Sequence, residues 1–193
     1  MIKVLGINGS PRKDGNTNLM IQTVLESARK EGAETNIIHL VDYPIPYCLG
    51  CYSKDKKLCN PEVFKEMLPK VYEELISSHA YVFGTPVYWF SISGLMKNFI
   101  DLLTALENIE KILENKIASC VISMEEDGAV NAASQILIPL NFMGILIPPF
   151  AITYAQGNLF LNEDKELILE LENIGKNLVK FARILNENKK INT

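Results

Sequence analysis

Two short stretches of this chain carry residue types and spacings suited to chemistry. The first, Asn8-Gly9-Ser10-Pro11-Arg12-Lys13-Asp14-Gly15-Asn16-Thr17-Asn18, follows an apolar run and leads into a helical pattern. Small and hydroxyl side chains leave backbone N–H groups free to converge, the helix start adds about half a positive charge, and Ser10, Asn16 and Thr17 add side-chain donors. This is a set for holding a phosphate. No Gly-Lys-Ser/Thr follows, as a triphosphate loop requires, and the Gly-x-Gly-x-x-Gly dinucleotide pattern is absent, so a single compact phosphate ester fits best. A turn that only caps the helix would use some of the same residues but needs fewer donors.

The second stretch, Gly84-Thr85-Pro86-Val87-Tyr88-Trp89-Phe90-Ser91-Ile92-Ser93-Gly94, also joins an apolar run to a helix. Pro86 stiffens it, while Tyr88 and Trp89 offer flat surfaces against which a planar ring would pack. Alone, such an aromatic run also suits a core or a subunit interface. One strand away from a phosphate cradle, it describes the ring site of a mononucleotide. A third segment, Ser123-Met124-Glu125-Glu126-Asp127-Gly128, offers backbone N–H groups to a ring edge. Its three carboxylates suit solvent at a helix N-terminus; turned inward, they would disfavour an anionic ring.

The elements that must position these loops are legible as alternating short apolar runs and longer helical patterns, the signature of βαβ units and a parallel sheet covered on both faces. Strands are expected at Ile2 to Ile7, Asn36 to Leu40, Ala80 to Gly84, Ile117 to Ser123, and within Ile145 to Tyr154. Pro148 and Pro149 put that last strand at an edge or start it after them. Helical spacing links Met20, Ile21, Val24, Leu25 and Ala28, and again Leu95, Met96, Phe99, Ile100 and Leu103. Asn60-Pro61 opens another helix, which Pro69 kinks or restarts. A fourth covers about Ala129 to Leu140, and a last runs from Leu167 to Leu185 before a polar tail from Asn186 to Thr193. The whole predicts one doubly wound α/β domain over residues 1–193, with an excursion at about 41–60 and ligands at the carboxyl ends of the strands.

Composition narrows the function classes. Of 193 residues 48% are hydrophobic and 22% charged, ordinary globular usage. With 19 Lys and Arg against 23 Asp and Glu, the net charge of -4 supplies no general field for nucleic-acid phosphates. The first apolar run turns polar at Asn8, too early for a signal peptide, and the stretch from Ile136 to Ile152 is broken by Asn141, Gly144 and three prolines, so no membrane span is expected. Clustering of Cys48, Cys51 and Cys59, three of the four cysteines, points to a local role in a reducing cytoplasm rather than to a disulfide framework. Three thiolates could bind zinc with one outside ligand, act as redox thiols, or belong to a structural loop. Cys120 is expected to be core packing, and neither His39 nor His79 is assigned a role.

Gly9-Ser10-Pro11-Arg12-Lys13-Asp14-Gly15-Asn16-Thr17, together with Pro86-Val87-Tyr88, Lys97 and Asp101, resembles the flavodoxin-like NAD(P)H-dependent FMN reductases over nearly the whole chain. The resemblance implies a five-stranded sheet of order 2-1-3-4-5 and FMN as cofactor. Ser10, Arg12, Asn16 and Thr17 would hold its phosphate, Pro86, Val87, Tyr88 and Trp89 would line its isoalloxazine, and Gly15, Asn18 and Phe90, with Met124, Glu125 and Gly128 of the third loop, would complete the cofactor-binding set. The Arg that often follows the Asp in this family is Leu102 here, so any contact it makes in relatives is absent. Tyr47-Cys48-Leu49-Gly50-Cys51 with Cys59 is similar to the cysteine segment of the family's iron-sulfur branch, but Lys54 stands at the third cysteine position and no metal is expected. The implied activity is hydride transfer from NADH or NADPH through FMN to a small acceptor, with no catalytic acid, base or nucleophile, in a homodimer or dimer of dimers. Rival readings are an electron-transfer flavoprotein with a protein partner and a non-catalytic flavin-binding regulatory module. A phosphorylated receiver needs an acidic pair after the first strand and an Asp after the third, near where Asn8 and Thr85 stand.

Overall fold

The computed structural model describes residues 1–108, 110–157 and 164–191. In chain order the elements are β1 (Lys3–Asn8), α1 (Asn16–Lys30), β2 (Glu34–His39), α2 (Pro61–Met67), α3 (Pro69–Ser77), β3 (Ala80–Tyr88), β4 (Ser91–Ile92), α4 (Gly94–Leu102), α5 (Thr104–Glu107), β5 (Ile117–Met124), α6 (Ala129–Phe142), β6 (Ile152–Gln156) and α7 (Lys165–Ile191). The parallel strands lie in the order β2-β1-β3-β5-β6, and β4 pairs antiparallel with the end of β3. With that short hairpin strand set aside, this is the expected 2-1-3-4-5 order.

Burial on both faces explains the near-continuous apolar runs. On β1, Val4 faces the core under α1 and α7, where Met20, Ile21 and Val24 meet Leu171, Ile174 and Leu178. Leu5 and Ile7 face the opposite core, filled by Phe64, Leu75, Phe99 and Ile136. Gly84 on β3 lets α1 approach closely: a Cβ there would lie 2.4 Å from Ile21 Cδ1 and 2.9 Å from Thr17 Cγ2.

Local signals act as the sequence implies. The Asn60 side chain accepts from Val63 N–H with Pro61 in the first turn, and the chain restarts as α3 at Pro69. β6 begins after Pro148 and Pro149 and lies at the sheet edge. The last helix continues through Ile191 into the polar tail, of which Asn192 and Thr193 lie outside the described residues. Residues 41–60 form an irregular excursion that starts from a 3-10 turn at Leu40–Asp42 and carries two more, Cys51–Ser53 and Lys56–Leu58. Among the described residues no helix is long and apolar enough to cross a membrane.

Candidate functional site

The carboxyl ends of β1, β3 and β5 open into one cleft, lined by Ser10, Arg12, Gly15, Asn16 and Thr17 on one side and by Pro86, Val87, Tyr88, Ser123, Met124 and Glu125 on the other. Ten of the residues singled out in the sequence therefore converge. Asn18, Trp89, Phe90 and Gly128 stand outside this lining.

The first loop is folded by its own polar groups. Asn8, fully buried, accepts from Ser10 N–H at 2.9 Å, and Ser10 Oγ accepts from Arg12 N–H at 3.1 Å. Gly15 then opens α1 with no side-chain cap, and no acidic residue stands in the first turn. A turn built to cap would have supplied an acceptor, so this helix start keeps its positive end for something else. Asn16 plays a role the sequence did not show: its side-chain amide donates to Gly157 O at 2.9 Å, tying α1 to the end of β6. Asn18 Oδ1 is buried with no hydrogen-bond partner among the described residues. Beside the loop, the Asn8 amide meets His39 Nδ1 at 3.0 Å. Burial, and then the charge of Lys13, hold His39 below its ordinary pKa against the opposing pull of Asp42.

Three hydroxyls that sequence reasoning passed over stitch the loops together. Ser93 caps α4 by accepting from Met96 N–H at 3.1 Å while its hydroxyl donates to Gly9 O at 2.6 Å. Thr85 Oγ1 accepts from Ser93 N–H at 3.0 Å. Ser123 lies 2.7 Å from Thr17 Oγ1 with both residues buried, and it also lines the cleft. The pattern marks each only as a hydroxyl residue interrupting or closing an apolar run at a strand or helix end, not the distant partner it meets.

The second stretch is less a loop than a strand and hairpin. Pro86, Val87 and Tyr88 continue β3, with Pro86 opposite Ser123 of β5 and beyond Gly84, the last residue of β3 that pairs with β1. Its missing N–H therefore costs no ladder bond on the β1 side. Val87 pairs with Ile92 and Tyr88 with Ser91, so Trp89 and Phe90 alone make the turn, at φ of 50° and 61°. That geometry normally selects Asn-Gly, and bulky residues there carry strain on the order of 1 kcal/mol or more each. The hairpin is braced from α6: the Asn131 side-chain amide donates to Phe90 O at 2.7 Å, and Ser91 Oγ donates to Gln135 Oε1 at 2.7 Å. Trp89 is 93% exposed at the tip.

In the third segment Glu125, Glu126 and Asp127 are exposed. The Gln156 side chain donates to the backbone carbonyls of Glu125 and Glu126, which fixes the segment to β6.

Donors at the end of one strand and an apolar wall from the next, at the point where strand order reverses, define a doubly wound mononucleotide-binding fold. Solved structures share it. A crystal structure of RosB with a bound riboflavin-phosphate intermediate superposes with a TM-score of 0.77 at 21% identity, covering 97% of this chain and 81% of that one. An archaeal flavodoxin gives 0.63 at 13%, covering 95% and 99%. Among curated proteins, an iron-sulfur flavoprotein of Archaeoglobus fulgidus is 34% identical over 139 residues, 71% of this chain and 67% of its own length. The NADPH-dependent FMN reductase profile matches residues 2–157. The chain belongs to this family, and it is an oxidoreductase of flavodoxin-like fold.

The residues present fit FMN. The uncapped α1, with Ser10, Arg12 and Thr17 beside it, suits a phosphate, and Pro86, Val87, Tyr88 and Met124 suit a ring. A four-iron cluster does not fit. It is held by four thiolates. Cys120 is fully buried on β5, its thiol pushed up to about 12 by burial, and the third motif position is an exposed lysine, Lys54.

Proposed function

We propose that the protein takes hydride from NADH or NADPH and passes electrons to a small acceptor such as a quinone or a free flavin. The observation that carries this reading is the cleft itself, with Ser10, Arg12, Asn16 and Thr17 on one side and Pro86, Val87, Tyr88 and Met124 on the other. FMN, when bound, supplies the two-electron redox chemistry. The chain's own work is binding and orientation. Ser10, Arg12 and the first N–H groups of α1 would fix the phosphate, while Thr17 and Ser123 would hold the two sides in register. Pro86, Val87 and Tyr88 would back one part of the ring, and the backbone of Met124 and Glu125 would meet its edge. No acid, base or nucleophile from the chain is needed.

The test is direct. Purified protein should show an oxidised-flavin absorbance spectrum and oxidise NADH or NADPH in steady state with a quinone or free flavin as acceptor. A flavin-loaded protein inert to both nicotinamides would favour electron transfer from a protein partner or a regulatory role instead.

The chain has one Trp, so its emission reports a single site. Trp89 adjoins Tyr88 at the cleft margin, and titrating apoprotein with FMN should quench it strongly. Emission indifferent to saturating FMN would remove Trp89 from the ring and leave Tyr88 as its main aromatic contact.

A second copy of the chain is the partner this reading assigns. Val130, Ile138 and Phe142 expose one apolar stripe along α6, the helix that braces the Trp89 hairpin. A homodimer would cover it, and sedimentation equilibrium would report a monomer if the assignment is wrong. A reducing cytoplasm suits the four free thiols.

A further inference from the structure

The excursion places a dithiol where neither FMN nor the sheet requires one. Cys51 and Cys59 both border a cavity of about 180 Å³ whose other walls include Tyr47, Leu58, Val63 and Leu102. The two 3-10 turns fold the segment back on itself: Cys51 Sγ approaches Leu58 O at 3.8 Å, one residue from Cys59. The far end of the segment is anchored, since the Asn108 side chain donates to the carbonyls of Lys56 and Cys59. Cys48 also borders the cavity but is exposed, whereas Cys51 is half-buried and Cys59 buried. Among the described residues, no three His, Cys, Asp or Glu side chains converge to hold a metal ion.

We propose that Cys51 and Cys59 form a reversible dithiol–disulfide pair that reacts with low-molecular-weight disulfides. Access sets the order of events. The Cys51 thiolate, the more open of the two, attacks one sulfur of a small disulfide, forming a mixed disulfide and releasing the first small thiol, which carries the proton Cys51 gave up. The Cys59 sulfur then attacks the Cys51 sulfur, forming the internal bond and releasing the second small thiol with the proton of Cys59. Two protein thiols lose two electrons and the small disulfide gains them. Excess small thiol reverses both steps. Burial, followed by the neighbouring Cys51, pushes the Cys59 thiol up to about 11, which suits it to the second, intramolecular step rather than the first. Lys54, Lys56 and Lys57, between the two cysteines, outnumber Asp55 and favour an anionic disulfide such as glutathione disulfide.

The experiment treats the full chain with glutathione disulfide, blocks remaining thiols with an alkylating agent, and digests it with trypsin without reduction. The internal bond should lower the mass by about 2 Da with no retained glutathione. Cleavage after Lys54, Lys56 and Lys57 should leave the flanking peptides joined. Cys48→Ser should keep the joined peptides, and both Cys51→Ser and Cys59→Ser should lose them. The pair is refuted by a glutathione adduct that persists on Cys51 while Cys59 remains alkylatable, by joined peptides in Cys51→Ser, or by the absence of any reaction in the wild-type chain.

Discussion

Ser10→Asp should weaken FMN binding at least tenfold, about 1.4 kcal/mol, while riboflavin binding changes little. Ser10 is buried at 3% exposure, its N–H held by Asn8 and its hydroxyl accepting from Arg12 N–H, so the side chain at this position has a fixed direction beside the uncapped start of α1. Aspartate can accept from the same N–H, and the loop is expected to keep its fold. What changes is charge. A carboxylate is set against a phosphate ester that is close to a dianion at neutral pH, in a cleft where the effective dielectric is well below that of water. Ser10→Ala removes the hydroxyl without adding charge and should lose less. Fluorescence titration with FMN and riboflavin checks both variants. Unchanged FMN affinity, or an equal loss for riboflavin, would take the phosphate away from this loop.

The elements that hold the cleft were legible because each has a local cause. Both-face burial marks the strands, Asn60-Pro61 and Pro69 punctuate the helices between β2 and β3, and Pro148-Pro149 delays β6. Ten lining residues of the cleft were legible for a related reason: small, polar and aromatic side chains cluster within single segments at strand ends. What escaped depends on pairs distant in sequence. Nothing in Ser93 or Gly9 alone foretells that the one closes onto the other across 84 positions, or that Thr17 and Ser123 meet across 106. The hairpin escaped for another reason. Trp89-Phe90 is among the poorer choices for a turn with two positive φ values, and local preference argued against what the bracing from α6 enforces. Such conflicts between local preference and tertiary structure gather at functional sites.

That bracing makes Gly128 a position where a single added methyl group should disturb the hairpin. Gly128 precedes α6 at a φ of 103°, a conformation in which L-residues other than glycine are strained by about 1–2 kcal/mol. A Cβ on it would lie 2.9 Å from Phe90 Cα, 3.3 Å from Phe90 C and 3.2 Å from Val87 Cγ1. Phe90 Cα and C are backbone, so the hairpin as a whole would have to move; overpacking of this kind adds about 1–3 kcal/mol. Gly128→Ala should therefore lose about 2–5 kcal/mol in urea unfolding, or roughly 4–20 °C in melting temperature for a chain of this length. The displaced hairpin carries the only Trp, so native-state emission and anisotropy should change as well. Asn131→Ala, which removes the brace on Phe90 O but adds no bulk, should alter the Trp signal with a smaller loss of stability. A Gly128→Ala protein as stable as the parent, with Trp emission unchanged, would mean that the hairpin is not held against α6 and that the aromatic margin of the cleft is free to move.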